Sequence, residues 1–310
     1  MNSAKTPANR PRLIVNADDF GLSRGVSDAI ASAHKDGILT SASIMANQPA
    51  SKYAIELLRE LPNLGIGIHL NLCAGRPTLP TCEVCTLIDQ HGNFLSPQLL
   101  ARKLWRFQVS GAEIEAEFRA QIRWLKDRGV TPLHADSHLH IHLYPAALRP
   151  FARAVQLERI GCIRAPRCTV WPSAGPAGGP HEGSLARRLS VQTYRNALQT
   201  TLFRTFVMPH SRVSFRSAQR RQRGSIGRCW IETFAHLPAG EFELTCHPGL
   251  RETGFSEMDR IAMQREEELR CLTRPAIREA VDRNGIELIR YSDLLLSAKH
   301  SGKAIEVNAA

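Results

Sequence analysis

The chain has 310 residues, 43% of them hydrophobic and 6% aromatic, with 40 Lys and Arg against 29 Asp and Glu for a formal charge of +11. That length suits one large α/β domain or two average ones, and the apolar content is enough to bury a core, which excludes a chain disordered by composition. No run of about 18 apolar residues offers a transmembrane helix and residues 1–11 lack the apolar segment of a secretory signal, so a cytoplasmic protein is expected, with its eight scattered cysteines reduced.

Taken in chain order, the apolar run Arg12–Asn16 predicts a strand that enters an acidic turn, and Gly25–Lys35 follows with helical spacing at Val26, Ile30 and Ala33. The pattern recurs with strand Gly37–Met45, helix Ala50–Glu60 and strand Leu64–Leu72. A loop over Cys73–Ser96 leads to helices at Pro97–Gln108 and Ala112–Arg128, the second ended by Gly129. Strand Pro132–Ser137, helix Pro145–Leu157 and strand Gly161–Arg164 come next, and the Gly/Pro-rich stretch Ala165–Gly183 reads as a loop. Then follow a helix over Leu185–Phe206, a strand Phe242–Cys246, a charged helical stretch Met258–Asn284 interrupted near Pro275, a strand Ile286–Tyr291 and a helix Ser292–Ala298. Alternating strands and helices imply a parallel sheet with helical crossovers, and six or so such units point to an α/β fold of the irregular (β/α)-barrel type. The expected organisation is a flexible N-terminus over 1–11, a single domain over 12–298 and a flexible tail over 299–310.

In a parallel α/β fold the strand C-termini share one face, where sites are built. Four such ends carry polar residues. Asn16-Ala17-Asp18-Asp19-Phe20-Gly21 sets two carboxylates side by side, which repel unless a cation or proton separates them. In an extended strand the two point to opposite sides, so two separate roles are expected; the competing reading is an Asx turn in which Asp19 or Ser23 caps the helix. On Gly65–Leu72, His69 and Asn71 share one strand face. In His134-Ala135-Asp136-Ser137-His138-Leu139-His140-Ile141-His142 every even position is His or Asp, so a continued strand would put all five on one face. Burying a row of imidazoles is costly unless metal or hydrogen bonds satisfy them, which favours metal binding. Pro145 implies that the strand stops before His142, so not all four His reach one ion. Finally, Glu243–Cys246 runs into His247-Pro248-Gly249, a sharp turn. One Asp with two His leaves coordination positions open for water and substrate, the mark of a catalytic metal site.

The motifs NADDFG (16–21), GIHLNL (67–72), HADSHLHIH (134–142) and TCHPG (245–249) together resemble the YdjC-like carbohydrate deacetylases, the group that includes chitooligosaccharide deacetylases and hopanoid-biosynthesis deacetylases. The resemblance implies an irregular (β/α) barrel that hydrolyses the N-acetyl group of an N-acetylated amino sugar with one divalent ion, Mg²⁺ or Zn²⁺. Carried over by position, Asp19, His69 and His138 would be the metal ligands, Asp18 the general base and His247 the general acid. Asn71, His134, Asp136, His140 and His142 would support these groups or face the substrate. The implied partner is a small N-acetylated sugar or a glycolipid, with a homodimer and peripheral contact with an anionic membrane surface also expected.

Other signals are weaker. Cys82-Glu-Val-Cys85 lacks a second pair or nearby histidines to complete a zinc site, and reads as incidental. The arginines at 204, 212, 216, 220, 221, 223 and 228 are poorly interleaved with aromatics, so a solvated face or a contact for an anionic lipid or substrate is expected ahead of nucleic-acid binding. GxGxxG, the P-loop and G-x-S-x-G are absent. The competing enzyme reading is another metal-dependent amidohydrolase or phosphoesterase, because HLHIH (138–142) contains the HxH pairing such enzymes use; the competing non-enzyme reading is a basic nucleic-acid-binding protein.

Overall fold

A computed structural model describes residues 10–170, 185–214, 226–250 and 262–300. In chain order its elements are β1 (Pro11–Phe20), α1 (Arg24–Lys35), β2 (Ser41–Ile44), α2 (Ser51–Leu57), β3 (Gly65–Leu70), α3 (Pro97–Trp105), α4 (Gly111–Lys126), β4 (His134–Ser137), α5 (Pro145–Leu157), β5 (Cys162–Ile163), β6 (Cys168–Val170), α6 (Leu185–Thr200), β7 (Ser211–Ser214), α7 (Ile226–Phe234), β8 (Gly240–Cys246), α8 (Ala262–Leu272), α9 (Pro275–Arg283), β9 (Glu287–Leu288) and α10 (Tyr291–His300).

The strands form one sheet in the order β5-β4-β3-β2-β1-β8-β7-β6, and β9 pairs with the start of β1. Every pairing between these strands is parallel. A further parallel bridge, Cys162 to Val207, carries the curl beyond β5. This is the irregular (β/α) barrel expected, with the strand C-termini gathered at one end. Because β1 lies mid-sheet, its Leu13, Ile14 and Val15 are all buried, as a parallel strand covered on both faces requires.

The helices form where local chemistry favours them. Ser23 caps α1 by accepting a hydrogen bond from the Val26 amide, and buried Val26, Ala29, Ile30 and Ala33 make its inner stripe. Ser110 likewise caps α4 through the Glu113 amide. The α4 residues Ile114, Phe118, Ile122 and Leu125 recur every three or four positions and are buried, Phe118 edge-on against Phe151 of α5. Burying each such aromatic contributes roughly 1.5–3 kcal/mol. Pro275 opens α9 at its first turn, which is why the charged stretch divides there.

Several segments differ from the sequence reading. The strand predicted over Arg12–Asn16 continues to Phe20, so both aspartates belong to β1. Ala165–Gly183 begins with a strand, β6, and residues 171–184 lie outside the described ones. The helix predicted to Phe206 stops at Thr200, and the Arg-rich stretch supplies β7 and α7, whose arginines and short runs hide the period-2 and helical patterns. Arg216, Arg220, Arg221 and Arg223 lie outside the described residues, as do 1–9 and 301–310. No helix among the described residues is long and apolar enough to cross a membrane.

Candidate metal-dependent active site

The strand ends of β1, β3, β4, β5 and β8 meet around two adjacent aspartates. Extended geometry would send Asp18 and Asp19 to opposite faces, yet both are buried at the same place. Along β1, Ala17 pairs with Ala42 and Phe20 with Ile44, so three steps on β1 answer two on β2 and one residue bulges. Asp19 takes up the extra residue with φ +65°, a left-handed conformation that Asp tolerates better than most residues. The bulge turns both carboxylates into one site.

Asp19 Oδ1 lies 3.0 Å from His138 Nδ1 and 3.4 Å from His69 Nε2. Its other oxygen accepts a 2.6 Å hydrogen bond from Arg265 Nη2 of α8. Burial pushes the Asp19 carboxyl up, but His138, His69 and Arg265 hold it well below the usual carboxylate range. His69 Nδ1 bonds Asp136 Oδ1 at 2.6 Å, which fixes the ring so that Nε2 faces Asp19.

Asp136 is held in turn by Ser43 Oγ, which donates at 2.7 Å, and by Arg164 Nη2 at 2.6 Å. Arg164 follows β5 and is wholly buried. Its guanidinium donates to both oxygens of Asp18, with Nη1 to Oδ2 at 2.8 Å, and its Nε donates to Glu243 Oε1 of β8 at 2.9 Å. Burial works against its charge, but Asp136, Asp18 and Glu243 hold its pKa well above the ordinary value. Asn16 completes the set, donating to Asp18 Oδ1 at 3.0 Å and to Ser43 Oγ at 2.9 Å.

His247 closes the opposite side. Its Nε2 is 3.7 Å from Asp18 Oδ2, and its backbone N–H donates to buried Glu268 of α8. His138 and His247 are the partly exposed members, with side-chain exposures of 22% and 26%, so they mark the mouth. Two glycines permit this packing: a Cβ on Gly67 would sit 2.3 Å from His134 Nε2, and one on Gly249 would meet Arg265 Cδ at 2.8 Å. The glycines of GIHLNL and CHPG are therefore clearances for side chains of the site.

The remaining sequence-predicted residues are placed apart from this cluster. His134 lies beneath it, its Nε2 3.2 Å from Ser43 Oγ and its ring stacked on Tyr291 at 3.8 Å. Burial lowers its pKa to about 3, and because the Ser43 hydroxyl is already given to Asp136, the His134 tautomer is assigned as Nε2–H. Asn71 caps the turn after β3, its Oδ1 accepting from the Cys73 and Ala74 amides and its Nδ2 donating to Ala74 O.

The continuous strand face over 134–142 is not formed. Strand β4 stops at Ser137, and the chain coils through Leu139 (φ +52°) and His140 (φ +55°). His140 Nε2 therefore meets buried Arg212 at 2.7 Å, while His142 bonds Ser137 Oγ at 2.6 Å and stacks on Phe151. Burial among cations pushes His140 well down and burial takes His142 to about 3. Arg212 is thus no part of a solvated basic face. Cys82 and Cys85 are exposed free thiols on a turn.

Sequence reasoning missed Arg164, Glu243, Arg265, Glu268 and Ser43. Ser43, Arg164 and Glu243 stood within segments already read as strands, and none of them carries a motif that sets it apart.

A cation fits the donor set. Asp19, His69 and His138 offer one ligand atom each, all mutually within 4.8 Å. Around them Asp18, Asp19, Asp136, Glu243 and Glu268 face two guanidinium groups, Arg164 and Arg265, an excess of acid in a basic chain. That excess shows in His69: burial alone would lower its pKa, yet Asp136 and Asp18 raise it to about 10. The field that holds a proton there is one a divalent cation can satisfy instead.

The family model for YdjC-like proteins matches residues 12–283, and the chain belongs to that family. It is 27% identical over 283 residues to a carbohydrate deacetylase of Clostridium beijerinckii, covering 91% of this chain and 100% of the relative. A carbohydrate deacetylase of Halalkalibacterium halodurans is 45% identical over 146 residues, a match that spans 47% of this chain and 60% of that protein's length. Among solved structures, a protein of Enterococcus faecalis described as a cellobiose-phosphate cleavage protein superposes with a TM-score of 0.72 at 25% identity, covering 92% of this chain and 99% of that one.

Proposed function

We propose that this chain is a hydrolase that removes the N-acetyl group of an N-acetylated amino sugar and releases acetate, using one divalent ion held by Asp19, His69 and His138. The observation that carries the reading is the convergence of those three ligand atoms beside a second carboxylate, Asp18, and a partly exposed imidazole, His247. Membership of a family whose relatives are named carbohydrate deacetylases supports the substrate class. Two imidazoles and one carboxylate suit Zn²⁺ better than Mg²⁺, which prefers oxygen donors. When bound, such an ion supplies charge stabilisation at an acyl oxygen and acidifies water.

The chain's own residues do the rest. Asp18 faces the centre with its orientation set by two Arg164 bonds and by Asn16, and it takes the proton from the attacking water. His247, anchored through its backbone to Glu268, donates the proton to the departing amine nitrogen. Asp136 keeps the His69 ring in place, and Arg265 does the same for the Asp19 carboxylate. His140 is turned to Arg212 and His142 to Ser137, which disfavours an amidohydrolase-like use of the 140/142 pair.

The test is acetate release from chitobiose, longer chitooligosaccharides, N-acetylglucosaminyl lipids and simple acetamides, on chelated protein with and without added Zn²⁺, Mg²⁺ or Co²⁺. Release from at least one sugar that depends on added metal is the expected result. Turnover of phosphomonoesters or cyclic amides alone, with none from the sugars, would replace the reading with another metal-dependent hydrolase.

A further inference from the structure

A cavity of about 220 Å³ is walled in part by residues that follow two of the proposed ligands in the chain. Its walls include Leu100, Ala101 and Leu104 of α3 together with Leu139, Ile141 and Tyr144. Among the described residues, Gln98, the Cys73 thiol and the Tyr144 hydroxyl are the polar side-chain groups of its lining. Leu139 is the residue after His138, and Cys73 lies on the turn that leaves β3 after His69; burial and the charge of Asp19 push the Cys73 thiol up to about 12. Two walls of the cavity thus belong to the segments by which the chain leaves the proposed ligands His138 and His69.

A sugar ring would bring hydroxyls that find almost no partners on these walls, and buried polar groups without partners are penalised. The apolar part of the scissile amide is its acyl group, whose carbonyl must lie at the ligands. An acetyl methyl takes about the volume of one water, whereas this cavity holds roughly seven at about 30 Å³ each. Apolar surface continues outward from its rim: Leu139 is 52% exposed, and Trp105, 59% exposed, packs edge-on against Tyr144 at 5.8 Å.

We propose that this cavity is an acyl-chain site, so that the substrates of this chain include N-acyl amino sugars whose acyl group is longer than acetyl. The inference rests on the deacetylase reading above and extends it. In the reaction the amide C–N bond breaks, a water oxygen bonds to the acyl carbon, and the amine leaves with a proton, giving a free carboxylate and a free amino sugar. Atoms balance with water as the sole co-substrate.

The experiment measures kcat/KM of the metal-loaded protein for N-acetyl, N-propionyl, N-butyryl and N-hexanoyl chitobiose by release of the amine. Each buried CH₂ is expected to raise kcat/KM about fourfold, from ~0.8 kcal/mol per CH₂, up to the length that fills the cavity. Ala101→Phe, at a half-buried helix position, narrows the cavity and lowers the butyryl-to-acetyl ratio by at least about tenfold. A second readout needs no variant: hexanoate inhibits acetyl turnover more strongly than acetate does. A steady fall in kcat/KM with each added CH₂ in the unaltered protein, or equal inhibition by the two carboxylates, overturns the proposal while leaving deacetylation intact. No turnover of any member, acetyl included, overturns the deacetylase reading and this proposal with it.

Discussion

On the flank formed by the ends of β1, β3 and β4, Asp19, His69 and His138 present groups whose charge depends on what binds; on the flank formed by β1, β4, β5 and β8, Arg164 holds Asp18, Asp136 and Glu243 with a charge that does not change. On the proposed function the first flank exchanges a proton for a cation. The second is a fixed electrostatic floor, buried and bonded on every side of the guanidinium. Two neighbouring residues of one strand, Asp18 and Asp19, thus serve opposite needs because their partners differ.

Removing a proposed ligand from the first flank should give the largest effect. Asp19→Ala or His138→Ala is expected to abolish bound metal, read by elemental analysis, and to lower kcat/KM by at least about 10³-fold. On the second flank Arg164→Met strands three buried carboxylates, and breaking a buried pair costs about 3–5 kcal/mol, read by urea denaturation. If Arg164→Met unfolds at the same urea concentration as the unaltered protein, the floor is not structural. Asp18→Asn sits where the flanks meet: it should keep its metal while kcat drops about 10²–10⁴-fold. Full activity in that variant would remove Asp18 from the role of base.

The last effect is in pH. His134 has a folded pKa of about 3, depressed by burial, against an ordinary value near 6.5. Its contribution is fully present above pH ~6.5, and stability falls by up to about 1.4 kcal/mol per pH unit as the medium is acidified from there towards 3, because only the unfolded chain binds the proton. A urea-denaturation series from pH 7 to 4 should show a shallower fall for His134→Gln.

The first flank stood out in the sequence because Asp19 and His69 end apolar runs and His138 falls in an alternating His/Asp row, while their proposed role as a ligand set came from the family resemblance. The fixed flank did not. Arg164 and Glu243 look like ordinary charged residues until β1 is set between β2 and β8, for their pairing depends on strand order and on no local pattern. Arg265 and Glu268 were hidden in a long charged helix whose exposed and buried charges look alike. The bulge at Asp19 was invisible too, since hydrophobic periodicity carries no sign of one left-handed residue. Strands and helices with clean periods were read within a few residues, while β7 and α7 were lost where arginines interrupt short apolar runs.

The pairing of β1 with β8 has a consequence for how the molecule is made. Pro11 sits in register with Gly240, so the first strand of the chain finds one of its neighbours only when the last quarter has been synthesised. Contacts so distant in sequence slow folding, and until they form β1 exposes an apolar edge open to wrong partners. Both proposed proton-transfer residues, Asp18 and His247, wait on that single late event. The protein is therefore expected to acquire activity in one step at the end of folding, with recovery after dilution from denaturant following the docking of β8.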